Sequence, residues 1–274
     1  MRIALYQANT GIDPATNAAD VEGAIRQAAD GGAKMLFTPE MVGLLDRQRS
    51  RAAAAIKAEA DDPVLGAACA AAARHRIWVT LGSVAIRRGD GRLVNRSFVI
   101  DAAGRITARY DKIHMFDVDL DDGEQWRESA VYAAGNKAVS TQTPLGLLGL
   151  SICYDLRFPA LFAALGDRHC DVIAVPAAFT VPTGQAHWHV LLRARAIEAS
   201  AWVIAAAQEG GHEDGRSTYG HSLVVDPWGK VVLDMGSAGK TLGFAEVDLE
   251  RTEAVRRQIP SLANRQVVDT AAPS

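Results

Sequence analysis

The run Leu147-Leu148-Gly149-Leu150-Ser151-Ile152-Cys153-Tyr154-Asp155-Leu156-Arg157-Phe158-Pro159 begins as a nearly continuous apolar strand, Leu147–Cys153, and breaks at a cysteine. A strand that is apolar on both faces has to be covered on both, which puts it between packed layers. Two other segments have the same form. Met35–Thr38 runs into Pro39-Glu40, and Arg105–Tyr110 runs through Asp111 into Lys112. A glutamate, a lysine and a cysteine thus each stand just beyond a strand, where side chains can converge on one rim of a sheet.

Outward from these segments, strands alternate with helices in the first half. Arg2–Ala8 alternates as a strand. Asn17–Gly31 carries Val21, Ala24, Ile25 and Ala28 at the helical period and stops at Gly31-Gly32. Pro63–Arg76 reads as a helix with proline in its first turn and an alanine-rich body. Ile77–Val84 is a strand, and Asn95–Asp101 with Arg105–Tyr110 forms a hairpin about Ala103-Gly104. Further on, Val172–Val175, Trp202–Ala207, His221–Asp226, Val231–Asp234 and Gly243–Val247 read as strands. Gln185–Ser200 reads as a helix with Val190, Leu191, Ala194 and Ile197 on one face. Arg47–Ala60 is either a helix or a mobile segment. Early alternation followed by hairpins predicts an α/β fold with a mixed sheet and helices on its outer faces. One domain over residues 1–274 is the simplest organisation, with a loosely ordered tail from about residue 266.

Composition narrows the function classes. Hydrophobic residues make up 49% of the 274, enough for a sizeable core. The formal net charge is −3, from 29 basic and 32 acidic side chains, so no basic excess points to nucleic acid. No window approaches the apolar length of a membrane span, and the N-terminal residues lack a secretory signal's apolar stretch. Three cysteines, Cys69, Cys153 and Cys170, make a poor disulfide framework. The expectation is a cytoplasmic protein with reduced thiols.

Cysteine, glutamate and lysine together suit acyl transfer. A free thiol is only slightly ionised at neutral pH and needs a base. Glu40 can take that proton, Cys153 can attack an amide carbonyl, and Lys112 with the N–H of Tyr154 can stabilise the oxyanion. Such a route needs no metal and no organic cofactor. Each residue taken alone has a plainer explanation. Free cysteine packs like a small hydrophobe, a glutamate after proline is often surface, and a lysine beside Asp111 is often half of a solvated pair.

The flanking residues decide between these readings. Phe37-Thr38-Pro39-Glu40, Tyr110-Asp111-Lys112-Ile113-His114-Met115-Phe116-Asp117 and Ser151–Pro159 resemble, in order and spacing, the three signature blocks of the nitrilase superfamily. The resemblance covers about residues 1–265. It implies a four-layer αββα sandwich, with Glu40 as base, Lys112 as cation and Cys153 as nucleophile. The superfamily's second glutamate falls on Glu128 in Arg127-Glu128-Ser129, with Glu124 as a near neighbour, and is thought to orient the substrate amide and the lysine. Pairing of sandwiches into a homodimer or higher homo-oligomer is also implied.

Within the superfamily, Pro176–Thr180, Thr183–Glu198, Ala205–Gln208 and Tyr219–Gly229 resemble the Nit branch, and there the deaminated-glutathione amidases more than the ω-amidases. The implied substrate is a small-molecule keto-acid γ-amide with two carboxylates, which need cationic or N–H partners. Arg157 is the first candidate, with Tyr154, Phe179 and Thr180 in the pocket and His187 and Arg216 as further candidates. ω-Amidase, N-carbamoyl amine hydrolase and aliphatic amidase activities fit the same three residues, and a non-catalytic scaffold is the remaining alternative. The Gly-rich segment from Gly210 to Ser217 can shift substrate choice.

Two other patterns carry less. His187 and His189 fall on different faces of a helix, so one metal could hardly join them. Asn95-Arg96-Ser97 fits a glycosylation acceptor and is expected to be unused.

Overall fold

The computed structural model describes residues 1–119 and 125–266. In chain order the first part gives β1 (Arg2–Gln7), α1 (Pro14–Asp30), β2 (Met35–Phe37), α2 (Arg49–Ala55), α3 (Pro63–His75), β3 (Trp78–Arg87), β4 (Leu93–Ile100) and β5 (Ile106–Asp111). A short hairpin of β6 (Asp117–Asp119) and β7 (Gln125–Arg127) follows. The second part gives β8 (Ser140–Thr143), β9 (Gly146–Leu150), α4 (Pro159–Asp167), β10 (Val172–Ala174), α5 (Val181–Ala199) and β11 (Trp202–Ala205). After it come β12 (Glu209–Gly211), β13 (Ser217–Tyr219), β14 (Leu223–Val225), β15 (Val231–Asp234), β16 (Thr241–Glu246) and α6 (Leu249–Gln258).

Helix starts follow local chemistry. The Asp13 carboxylate accepts from the N–H groups of Ala15 and Thr16, and Pro14 fills the first position of α1. Asp62 caps α3 in the same way through Leu65 N–H, and Pro63 follows it.

Two six-stranded sheets result, ordered β16-β1-β2-β3-β4-β5 and β15-β14-β11-β10-β9-β8. Each has a parallel centre, β1-β2-β3 and β9-β10-β11, with antiparallel strands on its flanks. Strand alternation sorts the side chains. Ile3, Leu5, Met35 and Phe37 join Leu148, Leu150 and Ile173 in one core, whereas Ala4, Tyr6 and Leu36 pack with α1 and α3 in another. On the far side, Leu161, Phe162 and Leu165 of α4 and Trp188, Leu192 and Ala196 of α5 cover the second sheet. The layers are therefore α, β, β, α. Each large apolar side chain buried here contributes about 1.5–3 kcal/mol.

The structure corrects several expectations. The apolar strand ends at Leu150, not Cys153, because Cys153 turns its N–H to Pro176 O and opens a 3-10 turn, Cys153–Arg157. α5 starts four residues before the predicted Gln185, and its buried face is not the predicted one. Val190 and Ile197 are 68% and 51% exposed, while Trp188, Leu192, Arg195, Ala196 and Ala199 face inward. α4 and α6 are helices the sequence reading lacks. Arg47–Ala60 resolves into α2 and a short 3-10 turn. The expected loose tail lies, from residue 267 onward, outside the described residues. Among the described residues no helix is long and apolar enough to cross a membrane.

Candidate active site

Glu40 sits in the turn after β2 and is buried. That turn exists because β3 carries glycine opposite it. A Cβ on Gly82 would lie 2.0 Å from Thr38 O and 2.4 Å from Pro39 O, a distance no other residue tolerates. Thr38 Oγ1 accepts from Gly82 N–H at 2.9 Å, and Gln208 Nε2 donates to Glu40 O at 2.9 Å.

Lys112 leaves the end of β5, with its N–H on Asn95 O at 2.9 Å and its carbonyl on Gly135 N–H at 2.8 Å. Glu128 stands in a 3-10 turn, Glu128–Ala130, and its Oε2 accepts from Phe116 N–H at 2.7 Å.

Cys153 has φ +49°, a conformation costly for a residue with a Cβ. The buried Asp155 carboxylate holds that turn. It accepts from Ile152 N–H (2.8 Å), Tyr110 Oη (2.7 Å) and His114 N–H (3.0 Å), and pairs with His114 Nδ1 (2.7 Å). The nucleophile turn is thereby tied to the segments on both sides of Lys112.

Four side chains converge. Lys112 Nζ donates to Glu40 Oε1 at 2.8 Å and to Glu128 Oε1 and Oε2 at 3.0 and 2.8 Å. Glu40 Oε2 accepts from Ala178 N–H at 3.0 Å, and the Glu40 side chain lies beside the Cys153 thiol. Burial works against the Lys112 ammonium, yet Glu128 and Glu40 outweigh it and hold the lysine charged well above its ordinary range. Burial pushes the Cys153 thiol up, and the Glu40 charge adds to this against Lys112 and the Ala178 N–H. The resting group is a neutral thiol beside a carboxylate oxygen, a pair that can exchange one proton as the sulfur attacks.

A cavity of about 420 Å³ opens over Cys153, a size suited to a small molecule. Tyr154, Arg157, Phe179, Thr180 and Arg216 line it. His187 does not. It reaches the cavity only through Arg157, whose Nη1 lies 3.2 Å from His187 Nδ1. Arg157 lies over the rings of Tyr154 and Phe179. Arg216 pairs with Asp214 at 2.7 Å and stacks on Trp126, as does Arg47.

Residues Gly210–Ser217 form most of the β12–β13 hairpin, and Arg216, Ser217 and Thr218 reach the cavity wall. Glu124, the alternative to Glu128, lies outside the described residues. Asn95, Trp126, Tyr132 and Ala178 also line the cavity and are missing from the sequence reading. For Asn95 the sequence offers only a glycosylation pattern, and its 1% exposure within β4 rules out an acceptor role.

Away from the cavity-lining residues, His189, His221 and Asp234 bring ligand atoms within 4.8 Å of one another. Both imidazoles already bond the Asp234 carboxylate, each at 3.0 Å. His187 and His189 turn to different partners.

The signature of carbon–nitrogen hydrolases matches residues 2–257. The chain belongs to the carbon–nitrogen hydrolase family. A deaminated glutathione amidase of Yersinia enterocolitica is 38% identical to it over 276 residues, 99% of this chain and 95% of that protein. The crystal structure of the C. elegans NitFhit protein superposes with a TM-score of 0.89 at 35% identity. It covers 97% of this hydrolase, which in turn spans 65% of that longer chain. An amidase from Nesterenkonia sp. AN1 matches with a TM-score of 0.79 at 25% identity, over 95% of this chain and 98% of that one. That structure is of a glutamate-to-glutamine mutant and shows acrylamide joined by Michael addition to its active-site cysteine. The nitrilase-superfamily sandwich expected from the sequence is thus the fold of this hydrolase.

Proposed function

We propose that this carbon–nitrogen hydrolase cleaves the γ-amide of deaminated glutathione through a Cys153 thioester. The observation that carries the chemistry is the buried convergence of Glu40 and Lys112 beside Cys153, with Lys112 Nζ 2.8 Å from Glu40 Oε1 and Ala178 N–H on Oε2. The thiol proton passes to Glu40 Oε2 as Sγ bonds to the amide carbon. The carbonyl oxygen becomes an oxyanion, stabilised by Lys112 and the N–H of Tyr154. As residue two of a 3-10 turn, Tyr154 has an N–H left over from the turn's own bonding. Collapse breaks the C–N bond, and Glu40 returns the proton to the leaving amine. Glu40 then takes a proton from water, which hydrolyses the thioester. The products are cysteinylglycine and 2-oxoglutarate, and the thiol regains its proton. Glu128 holds Lys112 in place through both its oxygens.

For the substrate, the support is the cationic lining from Arg157 and Arg216, which suits a ligand with carboxylates, and the name of the Yersinia enterocolitica relative. ω-Amidase action on 2-oxoglutaramate, which shares the keto-acid half, is the second reading and rests on the same arginines. The described cysteines are all free, in keeping with a reducing, cytoplasmic setting. We also propose a homodimer or higher homo-oligomer, formed through the exposed Val190, Ile197, Trp228 and Val232. Ile197 packs at Gly229 beside Trp228, so these residues share one face.

The test is a mass-spectrometric hydrolysis assay on deaminated glutathione, 2-oxoglutaramate, an N-carbamoyl amine and an aliphatic amide, with Cys153→Ala as blank. A roughly hundredfold preference for deaminated glutathione, about 2.8 kcal/mol in transition-state binding, is expected. Wild-type turnover by Cys153→Ala would sink the mechanism, and preference for another amide would move the substrate.

A further inference from the structure

Asn95 touches more of the reacting cluster than its sequence context suggests. It stands on β4, 1% exposed, next to the strand that delivers Lys112. Its Nδ2 donates to Glu40 Oε1 at 3.0 Å and to Glu128 Oε1 at 3.3 Å, and its carbonyl takes Lys112 N–H at 2.9 Å. Ionised carboxylate oxygens only accept, so the amide end that faces them is the NH2 group. The other end, Oδ1, is fully buried and has no partner among the described residues. A buried unpaired carbonyl is rare enough to need an explanation. The explanation here is that an aliphatic residue would remove the orphan oxygen but also the two donated bonds.

We propose that Asn95 is a positioning residue that selects which oxygen of Glu40 acts as base. Lys112 and Asn95 together occupy Oε1. Oε2 takes, among the described residues, the Ala178 N–H alone, which leaves it the oxygen with room to accept the thiol proton. By donating to both glutamates at once, Asn95 bridges the two acidic side chains and fixes how they face each other. The groups facing Glu40 are Lys112 from the end of β5, Glu128 from its 3-10 turn, the Cys153 thiol and Tyr132. Asn95 adds a side-chain amide donor to them. This rests on the proposed role of Glu40 as base.

The test compares wild type, Asn95→Asp and Asn95→Ser by thermal unfolding, by kcat and KM across pH, and by iodoacetamide labelling of Cys153 across pH. Asn95→Asp keeps the shape and replaces donors by a third carboxylate. Its kcat is expected to drop at least roughly a hundredfold with KM within about threefold. The acid limb of kcat/KM and the labelling curve should both move up by a pH unit or more. Asn95→Ser retains one donor without charge and should lose about tenfold, with a smaller move. A folded Asn95→Asp with a wild-type rate would overturn the inference. So would a slower one whose acid limb stays in place, since packing damage alone does not move it. If Asn95→Asp does not fold, Asn95→Ser decides by the same limb. If wild type neither hydrolyses an amide nor labels at Cys153, the proposed function fails and takes this inference with it. A normal wild type with unmoved variants removes the inference alone.

Discussion

Cys153 is held back by the group that serves it. The Glu40 charge opposes the thiolate, and only Lys112 and the Ala178 N–H favour it. Replacing the carboxylate therefore separates two properties that wild type combines. Glu40→Gln should cut hydrolysis at least about a thousandfold, roughly 4 kcal/mol, because no base is left for the thiol or for water. The same variant should still add acrylamide at Cys153, with its pH profile moved lower, because a negative neighbour is gone. Intact-mass spectra against pH check this, and a profile moved higher contradicts it. Residues of this kind are legible in the sequence. Each follows a strand and sits in a block that resembles a nitrilase-superfamily signature. Asn95 is not legible. Its donors matter only because cross-strand placement brings β4 alongside Lys112, and nothing in Asn95-Arg96-Ser97 encodes that placement.

At the scale of elements, one buried imidazole helps tie the β12–β13 hairpin to the segment after β1. His212 is buried, with Nδ1 3.1 Å from Thr10 O and Nε2 2.7 Å from Thr218 Oγ1. Burial pushes its pKa below the ordinary imidazole value, and Arg216 adds to this against the Thr10 bond. The folded state thus prefers neutral His212. Its contribution is full above the unfolded pKa, about 6.5, and fades as pH falls below it, because the unfolded chain takes up a proton that the folded one resists. His212→Gln should be less stable than wild type at pH 7.5 yet lose less on going to pH 5. Calorimetric melting at both values checks this, and equal losses would remove the account. The helices show where pattern reading stops. α1 and α3 have caps and clean apolar stripes, so both are readable. α5 misleads, because its inward face includes Arg195, whose guanidinium donates to Leu156 O, pairs with Glu198 and lies over Phe162. A charged residue satisfied in this way counts as buried only once its partners are known. The outward Val190 and Ile197 then pass for core.

Over the whole molecule, the reacting groups come from both sheets. Glu40, Asn95, Lys112 and Glu128 belong to the first half, and Cys153 and Ala178 to the second. The joint between the halves is therefore part of the chemistry. Ala8 N–H donates to Ala207 O and Glu209 N–H to Ala8 O, lacing β1 to the segment after β11. The exposed apolar face of α5 and β15 predicts association. Val190→Glu should turn an oligomer into a monomer by sedimentation velocity with little change in Tm, and an unchanged sedimentation coefficient would remove that face from the interface. Alternation of strand and helix implies only a mixed sheet with helices on its outer faces, and the αββα order rests on the superfamily resemblance; the place of β16 is not readable, since nothing local says which edge it joins. β16 pairs residue by residue with β1, and Met1's carbonyl accepts Val247 N–H at 2.9 Å. β1 is therefore synthesised long before its partner β16. Until residue 246 has been synthesised, β1 offers a bare edge that other chains can pair with. The closing contact is also among the longest in sequence, which slows the final step of folding.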